Sequence, residues 1–586
     1  MASTHCGNGS SPDSTTTTND PSNTNQVDTS QISPTARSSY TLFDHVQGQS
    51  YPAVLSAREE LNEEIANEEH NIEVYAGDDP HKPTADKVPA IPEEDKDANV
   101  VTWDGPADPA NPKNWTSAYR WFLTCLCCIT TFNVTFASAA PTSALTYMAN
   151  DLNISKEVSD LVTSLFLVGY IAGPIIWGPG SELLGRQPVF RISMICSTLF
   201  ILGQSLAPNI QTLLITRFLA GVFASAPLTN CSGVMADMWD PARRGVAMSL
   251  FVACVFVGPV CGPVVGSFVT TSYLGWRWVF WIMMIFSALC TILVGFFMPE
   301  TFTPVLLQKK AQRLRKSEPE KNAALYAEHE KHDWSPRGVL HRTLYRPFYM
   351  LYKEPILVLA TIYISFNYGL LYALFEAVPI IFVETRHFSI NADGLMFLGV
   401  GIGTCLGALL NLLFSRRYAA LTKRWRGFPP PEERLYGAMI AGPALVAGAL
   451  WLGWAGQYAG VHWVVPALGL ILIGLAICLI FSSLLAYLVD TYLTYSASAF
   501  AANVMCRSVI AAAFPLFTVQ MYERLGVNWA STLIACIGLL LTPGPFLFYK
   551  YGPRIRAGST FAPCIDLKIA KELAAEEREK SGSEKV

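Results

Sequence analysis

Twelve long apolar runs restrict what this chain can fold into more than any other feature. They lie near 121–147, 158–179, 189–207, 212–236, 246–271, 277–298, 355–382, 394–415, 435–456, 463–489, 497–521 and 528–549. Each approaches the roughly 20 residues that a helix needs to cross lipid. Inside a bilayer the backbone finds no water, so such a run satisfies its N–H and C=O groups as a helix. We number the runs span one to span twelve. An all-α, polytopic membrane protein is expected, and the several soluble domains that 586 residues would otherwise suggest are excluded. Composition agrees, with 51% hydrophobic and 15% charged residues, against about 25% charge in soluble domains.

The formal net charge of −4 averages two unlike parts. Residues 1–110 hold 20 acids and five bases, whereas residues 111–586 hold 26 acids and 37 bases. The first segment has too little apolar surface to offset chain entropy, so a disordered acidic tail is expected over 1–110. It shows no basic stretch followed by an apolar core, and no cleaved signal is expected. The excess base beyond it is scattered in short segments between spans, which points away from nucleic acid. Lys and Arg also set the orientation. Arg186, Arg243, Arg244, eleven bases in 300–354, Arg416, Arg417, Arg434 and Lys550 fall on one side. Only Lys156, Arg277, Arg386 and Arg524 fall on the other, so both termini are expected in the cytoplasm. Asn153-Ile-Ser155 is the one outward sequon, and it lies too close to the membrane to be expected to carry a glycan. The 14 cysteines show no metal or disulfide spacing and read as small packing residues.

A hydrophilic stretch, 300–354, splits the spans six and six. The expected organisation is therefore a first bundle over 111–299, a cytoplasmic linker over 300–354, a second bundle over 355–549 and a cytoplasmic tail over 550–586. The halves repeat weakly. Span four ends in Met235-Ala236-Asp237 and span ten in Leu488-Val489-Asp490. Each is followed by a span of small residues with prolines inside it: Pro259 and Pro263 in one half, Pro515 in the other. Two pseudo-symmetric six-helix bundles are the footprint of a transporter that rocks one half against the other.

Several motifs then resemble a known family. Gly178-Pro-Gly-Ser-Glu182-Leu-Leu-Gly185-Arg186 is similar to the loop between spans two and three of the major facilitator superfamily. Leu213-Leu-Ile-Thr-Arg217-Phe-Leu-Ala-Gly221 resembles that family's span-four motif. Gly258-Pro259-Val-Cys-Gly262-Pro263-Val-Val-Gly266 resembles the span-five motif that marks proton-coupled antiporters. Pro299-Glu300-Thr301 and Ser498-Ala-Phe-Ala-Ala-Asn503-Val-Met-Cys-Arg507 complete a pattern similar to the fungal twelve-span drug:proton antiporters, over about 112–556. The resemblance implies a monomeric exporter in the plasma membrane, or the vacuolar one. Its partners would be protons and a small molecule such as a drug, secondary metabolite, polyamine or organic acid.

The residues carry a physical reading of their own. Gly258, Gly262 and Gly266 lie four apart on one helix face, as do Gly399, Gly403 and Gly407 in span eight. Faces without side chains let helices approach closely, so they form either a sliding seam between spans five and eight or static packing. Pro259 and Pro263 each remove a backbone hydrogen bond. Arg217 sits within span four, where a central charge costs about 2.5–3.5 kcal/mol on insertion scales. It either takes part in proton or substrate coupling, as the resemblance implies, or ties down backbone carbonyls. Arg507 poses the same choice, with Asn503 one turn before it as a hydrogen-bond neighbour.

Glu376 reads as the only acid well inside a span. Thr361, Ser365, Tyr368, Tyr372 and Glu376 follow helical spacing and share one face. A carboxyl group shielded from water can hold a proton in one state and release it in another. It can equally attract a cationic amine beside aromatic rings, or bond to a neighbouring helix. Asp237 and Asp490, at inner helix ends, read as gate contacts with inner-loop bases such as Arg186 or Arg243. Glu182, Gly185 and Arg186 read the same way.

No Gly-x-x-x-x-Gly-Lys-Ser/Thr run is present, so an ion gradient is the expected energy source, with no cofactor or metal. Proton-coupled export leads. A proton-coupled importer of the same fold and a sensor signalling through its tail are the alternatives. An enzyme is not expected, because no His/Asp/Cys constellation gathers in the loops.

Overall fold

The computed structural model describes residues 99–573 apart from positions 106, 320–321, 332–334, 336–337, 339–340, 426 and 572. The tail expected over 1–110 thus lies largely outside the described residues. Its last stretch is ordered against the linker. Val100 bridges Tyr326, and the Lys310 ammonium lies 2.6 Å from Asp104 and 3.7 Å from Asp108.

The first six spans are Ser117–Ala139 with its continuation to Asp151, Lys156–Leu183, Arg186–Ser205, Ile210–Met238, Pro241–Thr271 and Arg277–Phe297. The next four are Pro355–Pro379, Ile390–Arg424, Tyr436–Gln457 and Val464–Tyr492. Spans eleven and twelve share one continuous helical stretch, Ser496–Leu541. Gly526 divides it: its φ of +78° is left-handed backbone, which glycine adopts without a Cβ clash. The Tyr522 and Ser531 hydroxyls meet across this break at 3.1 Å.

Each half packs by the same pairing. Span one lies on five, two on four and three on six; span seven lies on eleven, eight on ten and nine on twelve. Glycines set the closest crossings. A Cβ on Gly169 would strike the backbone of Phe218 and Val222, and one on Gly221 would strike that of Phe166. In the second half Gly403 meets the backbone of Ile471, and Gly474 that of Val400.

Between the halves, span five packs along span eight and span two along span eleven. Spans five and eight run antiparallel over their whole length. Gly245 faces Ser415, the Asn411 amide donates to Ser249 Oγ at 2.9 Å, Gly401 faces Val260, and Thr271 Oγ1 donates to Asn391 Oδ1 at 2.6 Å.

The glycine faces, however, do not form this seam. Gly258, Gly262 and Gly266 abut Phe132–Ser143 of span one and its continuation, while Gly399, Gly403 and Gly407 abut Ala467–Cys478 of span ten. The expected sliding surface is therefore packing inside each half. Spacing identified a side-chain-free face but not the helix it turns towards.

The linker holds a helix, Thr303–Ser317, and a shorter one, Arg346–Lys353, that leads into span seven. After span twelve a helix runs to Ala557. There the Arg556 guanidinium is buried between Glu432 (2.9 Å) and Asp566 (2.7 Å), fastening the C-terminal segment to the loop before span nine.

Candidate functional site

Span one breaks at Pro141. The Ala137 carbonyl would normally accept the N–H of residue 141, and proline has none. The chain tightens into a 3-10 turn, Ala140–Ala144, and the carbonyls above the break need other donors. Arg217 supplies them. Its Nη1 donates to Ala137 O at 2.9 Å, its Nη2 to Ser138 O at 3.4 Å and its Nε to Val162 O of span two at 2.9 Å. The close approach of spans two and four at Gly169 and Gly221 brings it there. The Phe166 ring centroid lies 4.6 Å from its guanidinium carbon. Arg217 is wholly buried.

Arg507, 1% exposed, is different. Its Nε and Nη1 find no acceptor among the described residues. The neighbours are rings: the Tyr368 and Phe481 centroids each lie 5.0 Å from its guanidinium carbon. Asn503 is not its partner, contrary to the sequence expectation. The Asn503 amide donates to Thr361 Oγ1 at 3.4 Å and its own Oδ1 is unpaired. One helical turn brings two residues onto a common face without aiming their polar ends at each other.

Phe256 of span five closes the aromatic group, 5.0 Å from Phe481 and 6.3 Å from Tyr368. Tyr368 and Tyr372 stand edge to face at 5.4 Å, and the Tyr372 hydroxyl meets Ser138 Oγ of span one at 2.9 Å. Tyr170 of span two lies within electrostatic reach of both arginines and donates to Val134 O at 3.1 Å. Groups from both halves thus converge on one buried site.

Glu376, 9% exposed, is not the only buried acid in a span. Asp160 of span two, 4% exposed, is the charged group that acts on it most strongly, by repulsion, with the Lys156 ammonium opposing. Asp160 Oδ1 has no hydrogen-bond partner among the described residues. The sequence signal was weak, because Asp160 falls in the first turns of span two and reads as a polar helix end.

The face expected inside carries an ion pair in each half. Arg186 Nε lies 3.3 Å from Asp237, and its Nη1 donates to Ser181 Oγ at 2.7 Å. Gly185, with φ +93°, starts span three and leaves room for the Glu300 carboxylate, which accepts the N–H of Arg186 at 2.8 Å. Span three is thereby capped by an acid at its positive end. Arg244 rather than Arg243 bears on Asp237; Arg243 is exposed. Glu182 is half-buried and joins no ion pair among the described residues. In the second half Arg434 pairs with Asp490 at 2.8 Å and lies over Tyr418, 3.5 Å from its centroid. Burial disfavours the Arg434 charge, but the Asp490 carboxylate outweighs it and holds the guanidinium's pKa above its ordinary value. Glu300, Arg244 and Arg434 were visible only as a motif residue and loop bases.

A cavity of about 100 Å³ lies at this inner face between Met248 and Val252 of span five and spans eight and ten. Arg434 and Asp490 line its outer part, Pro563–Asp566 line another side, and it extends to Ser482 and Ser483.

Comparison with known proteins extends this geometry. The Major Facilitator Superfamily profile matches residues 127–515. The chain is 42% identical to the MFS-type efflux pump MFS2 of Trichophyton rubrum, over 82% of this chain and 80% of that protein. It is 38% identical to mrr1, the citrinin biosynthesis cluster MFS transporter of Monascus ruber, over 86% and 99%. Among solved structures, the proton:xylose symporter XylE of E. coli matches with a TM-score of 0.54 at 15% identity, over 75% of this chain and 96% of XylE, a likeness of fold alone.

Proposed function

We propose, on the premise that the chain belongs to the Major Facilitator Superfamily, that it exports a small organic molecule by alternating access while protons move inward. The observation that carries this reading is that buried groups of the two halves act on each other in two places: Tyr170 and Arg217 with Tyr368, Tyr372 and Arg507, and Asp160 with Glu376. Ionisable groups inside spans are costly and mark transport pathways. Groups shared by two halves are separated and rejoined when the halves rock. Export rather than import is supported by relatives described as an efflux pump and as a biosynthesis-cluster transporter.

The roles divide by bonding. Glu376, with Asp160 beside it, handles protons: when the halves part, repulsion between the two carboxylates falls and proton affinity changes with it. Arg217 holds the span-one break against spans two and four. Arg186–Asp237 and Arg434–Asp490 brace the inner ends of their own halves, so the cytoplasmic side closes as two preformed units. The excess of inner-loop bases supports both termini inside; the protein works as a monomer in the plasma membrane. Energy comes from the proton gradient.

The test is uptake into inverted vesicles with an acidic lumen. The wild-type chain accumulates substrate when the gradient is imposed. Glu376→Gln and Asp160→Asn lose this gradient dependence but still exchange substrate for substrate. Full gradient-driven uptake in both variants would remove the proton assignment.

A further inference from the structure

A guanidinium has five N–H donors in one plane, and burying it without acceptors is costly. Arg217 and Arg556, the other arginines this deeply buried, meet carbonyls and carboxylates respectively. Arg507 makes no hydrogen bond among the described residues, and its Nε and Nη1 are both closed off from water. The rings of Tyr368 and Phe481 attract its charge but accept none of its protons in a conventional bond. What is missing is a planar acceptor with two oxygen atoms, the partner that a guanidinium edge fits best.

From this we infer that the exported molecule is an aromatic carboxylate or an equally planar acid, whose oxygen atoms are received by the guanidinium of Arg507. The inference deepens the export reading above and rests on it.

The surroundings fit that ligand. Phe256, Tyr368 and Phe481 offer ring faces and edges for a flat body. The Tyr368 hydroxyl and Asn503 Oδ1 are buried and unpaired beside it, which suits a hydroxylated ring. The cavity's lining includes Ser482 and Ser483, the residues that follow Phe481 in span ten. The acids Glu376 and Asp160 are not among the groups that act on Arg507, which has no carboxylate partner among the described residues. A cationic substrate would instead seek those acids and leave Arg507 unpaired in every state.

The test is calorimetric binding to the purified full-length protein in lipid nanodiscs. The probes are 1-naphthoate, its neutral methyl ester and 1-naphthylmethylammonium. The carboxylate binds about 10- to 100-fold more tightly than the ester, as a hydrogen-bonded charge pair requires. In Arg507→Met that ratio falls to about one. Arg507→Lys, which keeps the charge and loses the planar fork, gives an intermediate ratio and guards against a folding defect in the first variant. Tightest binding of the ammonium, no binding of the carboxylate, or an unchanged ratio in Arg507→Met overturns the inference. Any of these leaves export itself standing, because export is read from gradient-driven uptake, and only loss of that uptake removes it.

Discussion

Arg217 and Arg507 are both arginines buried inside the membrane body, and they do opposite things. Arg217 meets carbonyls at Ala137, Ser138 and Val162, two of them just above the break at Pro141. Arg507 lies among rings with two nitrogens unbonded. The first charge mends a defect that a proline creates, and the second is kept uncompensated. A buried charge in a span is therefore no single signal. Its bonds tell whether the fold needs it or whether the fold tolerates it for another purpose.

The contrast can be broken by stability measurements. Arg217→Met should have the largest effect, since it leaves carbonyls unsatisfied at a helix break. We expect a loss of roughly 3–5 kcal/mol, read as a lower melting temperature of the protein in nanodiscs. Melting at the wild-type temperature would place Arg217 with Arg507 and erase the distinction. A smaller loss is expected for Gly221→Ala. The added methyl meets the Phe166 backbone and pushes span four from span two, which draws Arg217 away from Val162. Overpacking of this kind costs about 1–3 kcal/mol, and hydrogen exchange should rise around 137–142 in the same variant. If exchange rises only around Phe166, Arg217 does not depend on that crossing. The smallest change belongs to Tyr368→Phe. Its hydroxyl makes no hydrogen bond of good geometry among the described residues, so stability should move by no more than about 0.5 kcal/mol while substrate affinity drops. A clear loss of stability would mean that the Tyr368 hydroxyl serves the fold.

Much of this was legible from sequence. Apolar length located all twelve spans, because lipid thickness is a simple constraint. The Asp237 and Asp490 repeat marked two residues that each form an ion pair within their own half. What spacing could not supply was direction across space. Gly258, Gly262 and Gly266 were recognised as a bare face, yet the helix they meet is span one rather than span eight. Asn503 shared a face with Arg507 but bonds to Thr361. An acid in the first turns of a span resembles any helix end, and spacing does not reveal that Asp160 acts on Glu376. Nothing in a run of loop bases singles out Arg434 as a partner of Asp490.

Whether Arg507 serves the ligand or the fold is decided by the melting temperature and transport of Arg507→Met, measured on the same preparation. If Arg507 is retained for its ligand at the expense of the fold, replacing it with a similar apolar side chain removes an unpaired buried charge. The melting temperature should then rise, by the equivalent of about 1–3 kcal/mol, while gradient-driven uptake is lost. A melting temperature that falls as far as in Arg217→Met, or uptake that persists, would contradict the account.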